Sequence, residues 1–186
     1  MADGNTKEQI LKVGLRLLRK QSYNSFSFGD IAAEVGIKKA SIHYYFPTKE
    51  VLGVALVQYY HELIRSYINQ IEPDTPPRDQ LVAFVEFFKI GLQKKYLCPA
   101  GVLSIEFFTL SQEMQDELRL LFNYYLDWLT EVCKQGQQQG DFNFDGDPRD
   151  MAFHISSSIE GATAMARAYD TVDLYYNSLD LLLSKL

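Results

Sequence analysis

The sequence predicts an all-α chain of about nine helices, and three observations carry the prediction. Apolar residues recur three and four positions apart through most of the length, and nowhere does the two-residue alternation of a half-buried strand persist. Helix boundaries are written into the residues: Ser27 stands three before Asp30, Asp147 directly before Pro148, and Gly36 and Gly140 directly after periodic stretches. The prolines sit at the edges of those stretches, where a missing N–H costs least.

Residues 1–5 are expected to form a disordered tip, with Thr6 and Gln9 as a capping box opening the first helix. Ile10, Leu11, Gly14, Leu17 and Leu18 share one face of that helix, and Lys12, Arg16, Arg19 and Lys20 lie elsewhere. Residues 26–52, FSFGDIAAEVGIKKASIHYYFPTKEVL, then read as two short helices joined by a tight turn, with a third helix directly after. Ser27 and Asp30 cap the first, Ile31, Ala32 and Val35 give its apolar face, and Ala33 offers a small surface for a close crossing. Gly36 supplies the turn, because it accepts a positive φ without a Cβ clash, and Ile37 folds back into the small core. The second helix covers 38–45, with Ile42 and Phe46 on the buried side. Lys39, Ala40, Ser41, His43 and Tyr44 face outward and suit a DNA major groove, where Lys, Ser and His hydrogen-bond base edges or phosphates and Ala packs on a thymine methyl. Pro47 ends this helix and Thr48 caps the next. Lys49 is a cation in a first turn, where the helix dipole disfavours one, and a phosphate lying there would explain it.

Further along, residues 50–71 form one long helix carrying Leu52, Leu56, Tyr59, Tyr60, Leu63 and Tyr67, and Pro73, Pro76 and Pro77 mark a loop. Residues 78–95 follow, with Leu81, Phe84, Val85, Phe88 and Leu92 inward, and the irregular LCPAG at 97–101 interrupts them. A short helix at 102–110, a long one at 112–138, another from 148 to about 169 and a last one at 171–186 complete the series.

At 186 residues and 47% hydrophobic composition the chain can bury a core, and no repeat or low-complexity tract interrupts it. With no long apolar run and no charged-then-apolar start, a cytoplasmic protein without membrane contact is expected. Two cysteines without paired spacing argue against a disulfide framework or a zinc site. The three histidines, His43, His61 and His154, fall in no metal or triad signature, so no metal, cofactor, catalytic residue or enzyme activity is expected. The formal charge of −6 divides unevenly: residues 1–50 carry eight Lys/Arg against five Asp/Glu, or +3, and residues 51–186 ten against nineteen, or −9. A basic head on an acidic body would orient the protein on DNA.

In the order DIAAEVGI, KKASIHYYF and PTKEVL, preceded by an amphipathic helix, the chain resembles the tetracycline-repressor (TetR) family of one-component transcription regulators. The resemblance implies a helix-turn-helix DNA-binding domain at 1–50 and a helical ligand-binding and dimerisation domain at 51–186. It implies base contacts from Lys39, Ala40, Ser41 and His43 and phosphate contacts from Ser27, Tyr44, Tyr45 and Lys49, with Lys38 counted in the same DNA-binding set. It further implies a homodimer on a palindromic double-stranded operator, released by a small-molecule effector. The chain departs from the family pattern at Gly29, where a polar or basic residue is common, at Lys38, where serine often caps, and at Ser22-Tyr23-Asn24, which lacks the usual glycine.

Ten aromatics lie between Phe84 and Trp128. Phe84, Phe88, Tyr96, Phe107, Phe122, Tyr125 and Trp128 are candidates to line a pocket, with His154, Ser157 and Glu160 as its polar groups, for a hydrophobic or aromatic small molecule. An ordinary aromatic core is the alternative. Cys98 is a candidate redox sensor, because Lys94 and Lys95 beside it would favour the thiolate, and it resembles the position of a sensing cysteine in an electrophile-responsive subgroup of the family. A buried, inert thiol is the competing reading there, and Cys133 is taken as structural. Ala152, Ile155, Ser156, Ile159, Ala162, Thr163 and Ala166 form a stripe of small and branched residues for dimerisation, with Leu174, Leu179, Leu182 and Leu183 as partner face or as an intrachain contact. A helical protein-interaction module without DNA function remains a further alternative.

Overall fold

The computed structural model describes the backbone of residues 2–186 and the side chains from Asn5 onward. Among them are nine α-helices and no strand: α1 (Ala2–Gln21), α2 (Phe28–Val35), α3 (Lys39–Tyr45), α4 (Lys49–Ile68), α5 (Pro77–Gln93), α6 (Pro99–Ile105), α7 (Gln112–Gln139), α8 (Pro148–Ala168) and α9 (Asp173–Leu183), with a 3-10 turn at Phe107–Thr109. Of the expected disordered tip, Met1 lies outside the described residues. From Ala2 the chain is already helical, so Thr6 sits within α1 instead of capping it.

The helices fall into two compact units: Met1–Leu63 with Pro99–Leu121, and Ile64–Cys98 with Phe122–Leu186. The first is built on Ile10, Leu15, Leu18, Ile31, Ile42 and Phe46, all buried, each contributing about 1.5–3 kcal/mol through the water it leaves. Leu15 takes the place expected for Leu11, which is half-buried, and Ala33 is exposed. The close approach comes instead at Gly14, where an added Cβ would stand 3.1 Å from Leu56 Cδ2 and 3.6 Å from Ile31 Cδ1. The ends of α2 follow the expectation. Ser27 and Asp30 form a complete capping box, and Gly36 takes φ 75 as its N–H donates to Ala32 O. Thr48 Oγ1 accepts from Val51 N–H at 3.3 Å and caps α4. Met114 packs where Gly53 has no side chain, so α7 enters this unit closely.

The second unit takes its core from the expected inward face of α5, Leu81, Phe84, Val85, Phe88 and Leu92, with Tyr125, Leu129, Ile155, Ile159 and Tyr175. Pro99 opens α6 at its first position, a site proline favours, so the irregular stretch is 94–98 and not 97–101. Gly140, at φ 78, ends α7 as expected, and the chain returns to lay Phe142 on Gly136. Asp147 caps α8, with Arg149 N–H donating to Oδ1 at 2.7 Å.

Candidate nucleic-acid interface and buried polar site

In α3 the pattern of burial divides the helix cleanly. Ile42 is fully buried and Phe46 is 2% exposed, whereas Lys38, Lys39, Ala40 and His43 are exposed and Ser41 is half-buried. Tyr44 is 75% exposed, a large aromatic held outward, with the half-buried Tyr45 ring edge-on to it at 5.0 Å. His43 packs its ring on Phe28, centroids 4.8 Å apart, and its Nδ1 lies 3.2 Å from Pro47 O. A carbonyl can only accept, so Nδ1 carries the proton there, and in the neutral tautomer that makes this bond Nε2 is the acceptor. The structure therefore gathers seven of the expected DNA-contacting residues, 38–41 and 43–45, on one short helix and its cap.

The other two, Ser27 and Lys49, are engaged within the protein. The Ser27 hydroxyl accepts from Gly29 N–H and donates to Asp30 Oδ2 at 2.8 Å, and with the Ser27 N–H donating to the same oxygen at 2.7 Å it holds the Asp30 carboxyl below its ordinary range. Lys49 is half-buried; its ammonium donates to Phe26 O and lies 4.8 Å from the centroids of both Tyr23 and Phe26. Burial lowers its pKa, and Glu106, Glu50 and Asp30 pull it partly back. A cation at the start of α4 is thus explained by contacts inside the unit, without a phosphate.

The aromatics expected to share one pocket do not all meet. Phe84 and Phe88 on α5 and Phe122, Tyr125 and Trp128 on α7 form a connected group, Phe84 standing 5.1 Å from Phe88, 6.0 Å from Tyr125 and 5.3 Å from Trp128, and Phe122 5.4 Å from Tyr125. Phe107 lies in the other compact unit, under the Arg119 guanidinium at 5.0 Å, and its neighbour Phe108 is 95% exposed. The aromatic content of the stretch makes Phe107 a pocket candidate, but the 3-10 turn at Phe107–Thr109 breaks the helical register there. Tyr96 is half-buried, while His154 and Ser157 are exposed on α8 and take no part in the buried group.

Glu160 does take part, together with Tyr125 and with Ser156 and Cys98, which the sequence offered for other roles. Tyr125 is 1% exposed, and its hydroxyl has no partner at hydrogen-bonding geometry, although the buried Ser156 hydroxyl lies beside it. Burial raises the Tyr125 pKa well above the ordinary value, helped by Cys98 and Glu160. Burial likewise raises the Glu160 carboxyl, and a hydrogen bond with the Cys98 thiol offsets part of that rise. Cys98 is buried at 3% exposure. Lys95, expected to act on it, ion-pairs with Asp170 at 2.7 Å, and the group hydrogen-bonded to the thiol is the Glu160 carboxyl. Cys133 is fully buried, its thiol pushed up to about 12 by burial.

A cavity of about 680 Å³ opens beside this group, lined by Ile68, Ile71, Pro73, Tyr124, Trp128 and Val132 among others. Trp128 alone of the expected pocket residues borders it. The stripe expected to dimerise is consumed inside the chain: Ala152, Ile155, Ser156, Ile159, Ala162, Thr163 and Ala166 are the buried residues of α8, and Leu179 is buried with them. The large apolar residues that α8, α9 and the turn between them leave exposed are Phe153, Met165, Tyr169, Leu174 and Leu181. No helix among the described residues is long and apolar enough to cross a membrane, and no cluster of three or more His, Cys, Asp or Glu there could hold a metal.

Residues 10–56 match the family model for bacterial regulatory proteins of the tetR family, and residues 77–180 that for the tetracyclin repressor-like C-terminal domain. The crystal structure of a TetR-family regulator from Agrobacterium tumefaciens superposes with a TM-score of 0.94 at 29% identity, over 99% of this chain and 98% of that one. The regulator LmrA of Bacillus subtilis (strain 168) is 28% identical over 149 residues, 75% of this chain and 76% of its own. A helix-turn-helix-type regulator from the lacX 3′ region of Lactococcus lactis subsp. lactis is 29% identical over 124 residues, 64% of this chain and 63% of that protein's length. With a helix-turn-helix whose second helix turns a basic, polar and aromatic face outward, and with both domains matched in order, the chain belongs to the tetR family of bacterial regulatory proteins and is a DNA-binding transcription regulator.

Proposed function

We propose that the protein is a homodimeric cytoplasmic repressor that binds a palindromic operator in double-stranded DNA and leaves it when a hydrophobic or aromatic small molecule enters its helical body. Residues 1–50 act as the DNA-binding domain and 51–186 as the ligand-binding and dimerisation domain. The observation that carries the reading is the division of α3, with Ile42 sealed inward while Lys39, Ala40, His43 and Tyr44 project outward. Lys39 and Ser41 donate to base edges, His43 accepts through Nε2, and Ala40 packs on a thymine methyl. Lys38, Tyr44 and Tyr45 fix the register on phosphates. Ser27 and Lys49 reach a phosphate only by leaving the partners they already hold, so their part is to shape the motif.

The effector site is assigned to the group around Tyr125. A buried hydroxyl without a partner costs about 1–3 kcal/mol, which a ligand with a matching polar group would recover. Phe84, Phe88, Phe122 and Trp128 supply the aromatic walls, and the cavity beside Trp128 has a volume usual for ligand pockets, about 300–1,000 Å³. Release requires only that the effector prefer the form that binds DNA poorly; about 1.4 kcal/mol of preference gives a tenfold shift. A second copy covers Phe153, Met165, Tyr169 and Leu174, the apolar face left on α8, α9 and their turn. No step in this reading needs catalysis or a cofactor.

The test is selection of random duplex DNA by the purified protein, then affinity titration of the winner at several salt concentrations. An enriched inverted repeat whose affinity falls steeply with salt supports the reading. Recovery of no sequence above the background overturns it.

A further inference from the structure

The turn between α1 and α2 is held from 83 residues away. Glu106, between α6 and the 3-10 turn, accepts with both carboxylate oxygens: Tyr23 N–H donates to Oε2 at 2.8 Å and Asn24 N–H to Oε1 at 3.2 Å. Thr109 extends the contact, its Oγ1 accepting from Asn24 Nδ2 at 2.8 Å while donating to Glu106 O at 2.7 Å. Charge-assisted bonds to two successive N–H groups fix a turn in two directions. This turn needs holding, because Ser22 adopts φ 76, a left-handed conformation costly for any residue with a Cβ. The same turn reaches α4, since the Tyr23 hydroxyl donates to Lys49 O at 2.8 Å. Glu106 lies in the segment Pro99–Leu121, which is continuous in sequence with Cys98 on one side and Phe122 on the other.

We propose that Glu106 is a positioning residue for operator recognition, a latch that ties the turn leading into the DNA-reading motif to the segment 99–121 and so holds α3 in one fixed presentation to its half-site. The inference rests on the dimeric, operator-binding reading above. Glu106 acts through the turn and not through DNA. Its effect should therefore appear in spacing: inserting one base pair between half-sites rotates one of them by about 35° and moves it by about 3.4 Å.

The experiment compares the selected inverted repeat with the same repeat carrying one inserted central base pair, using the full chain and the variants Glu106→Ala, Glu106→Gln and Thr109→Val. Wild type should prefer the original spacing by about tenfold or more, and Glu106→Ala should reduce that preference to about threefold or less. Glu106→Gln, which keeps one carbonyl acceptor, should fall between, and Thr109→Val should show a smaller loss. Amide exchange of Tyr23 and Asn24 should quicken in Glu106→Ala while that of Ile31 and Ile42 stays slow. If Glu106→Ala does not fold, the other two variants are read by the same ratio. Loss of an anion near DNA would by itself tighten binding to every duplex alike, so uniform tightening with the spacing preference intact overturns the latch. A wild type that discriminates spacing, with variants that do so equally well, overturns it too. A wild type indifferent to spacing sinks the dimeric reading together with the latch.

Discussion

Two buried tyrosines, one in each compact unit, are treated in opposite ways. Tyr23 is 5% exposed and its hydroxyl donates to Lys49 O at 2.8 Å, with the Lys49 ammonium over its ring. Tyr125 is 1% exposed and its hydroxyl has no such partner, standing near the Cys98 thiol and the Glu160 carboxyl, whose charged form burial also disfavours. The unit that carries the reading helix spends its polar groups on fixing its own turns, as Ser27, Glu106 and Lys49 all do. The helical body keeps one such group, the Tyr125 hydroxyl, buried with no partner at hydrogen-bonding geometry. A reader of DNA needs a rigid surface, and a receiver of small molecules needs unmet bonding capacity.

Paired substitutions sharpen that contrast. The greatest effect is expected from Gly136→Ala in the body, where the new Cβ meets the Phe142 ring, a flat group that cannot step aside. It should cost about 1–3 kcal/mol or more in denaturant unfolding. Gly53→Ala in the other unit should cost less, because its Cβ meets the flexible end of Met114. Equal costs would show that the two glycines are alike in constraint. Next, Tyr23→Phe removes a made hydrogen bond and should destabilise by about 1 kcal/mol, whereas Tyr125→Phe removes an unmade one and should be neutral or stabilising by a similar amount. The same sign from both substitutions would break the comparison.

The smallest effect concerns pH. Burial raises the Glu160 carboxyl above its ordinary 4.5. A group raised in the folded state adds stability that is fully present below its unfolded pKa and is lost as pH climbs through the folded one. Stability should therefore fall with rising pH above 4.5, and Glu160→Gln should flatten this fall, raising Tm at neutral pH more than at acid pH. A Tm shift independent of pH would mean that Glu160 is not ionising in the protein interior.

What could be read from the sequence was local chemistry. Ser27 with Asp30, Gly36 with its positive φ and Asp147 with Pro148 each state a helix end within three residues, and each stands where expected. Long-range partners left no such mark. Nothing near Lys49 in the sequence marks that Tyr23 and Phe26 close around it, and Glu106 was one acidic residue among many until its two N–H donors appeared 82 and 83 positions away. The aromatic run from Phe84 to Trp128 was legible as composition, but the 3-10 turn that takes Phe107 out of the group has no period to reveal it. The small-residue stripe of α8 was correctly seen as a packing surface, and its partner proved to lie within the chain.

The strongest trial of the reading face is Lys39→Ala, measured as the ratio of affinities for the selected operator and a scrambled duplex at one salt concentration. If α3 reads base edges, the ratio should drop by about tenfold, the worth of roughly 1–3 kcal/mol of base discrimination, while binding to the scrambled duplex changes far less. An unchanged ratio, with both affinities falling together, would place Lys39 on the phosphates and contradict the assignment of α3 as the element that reads sequence.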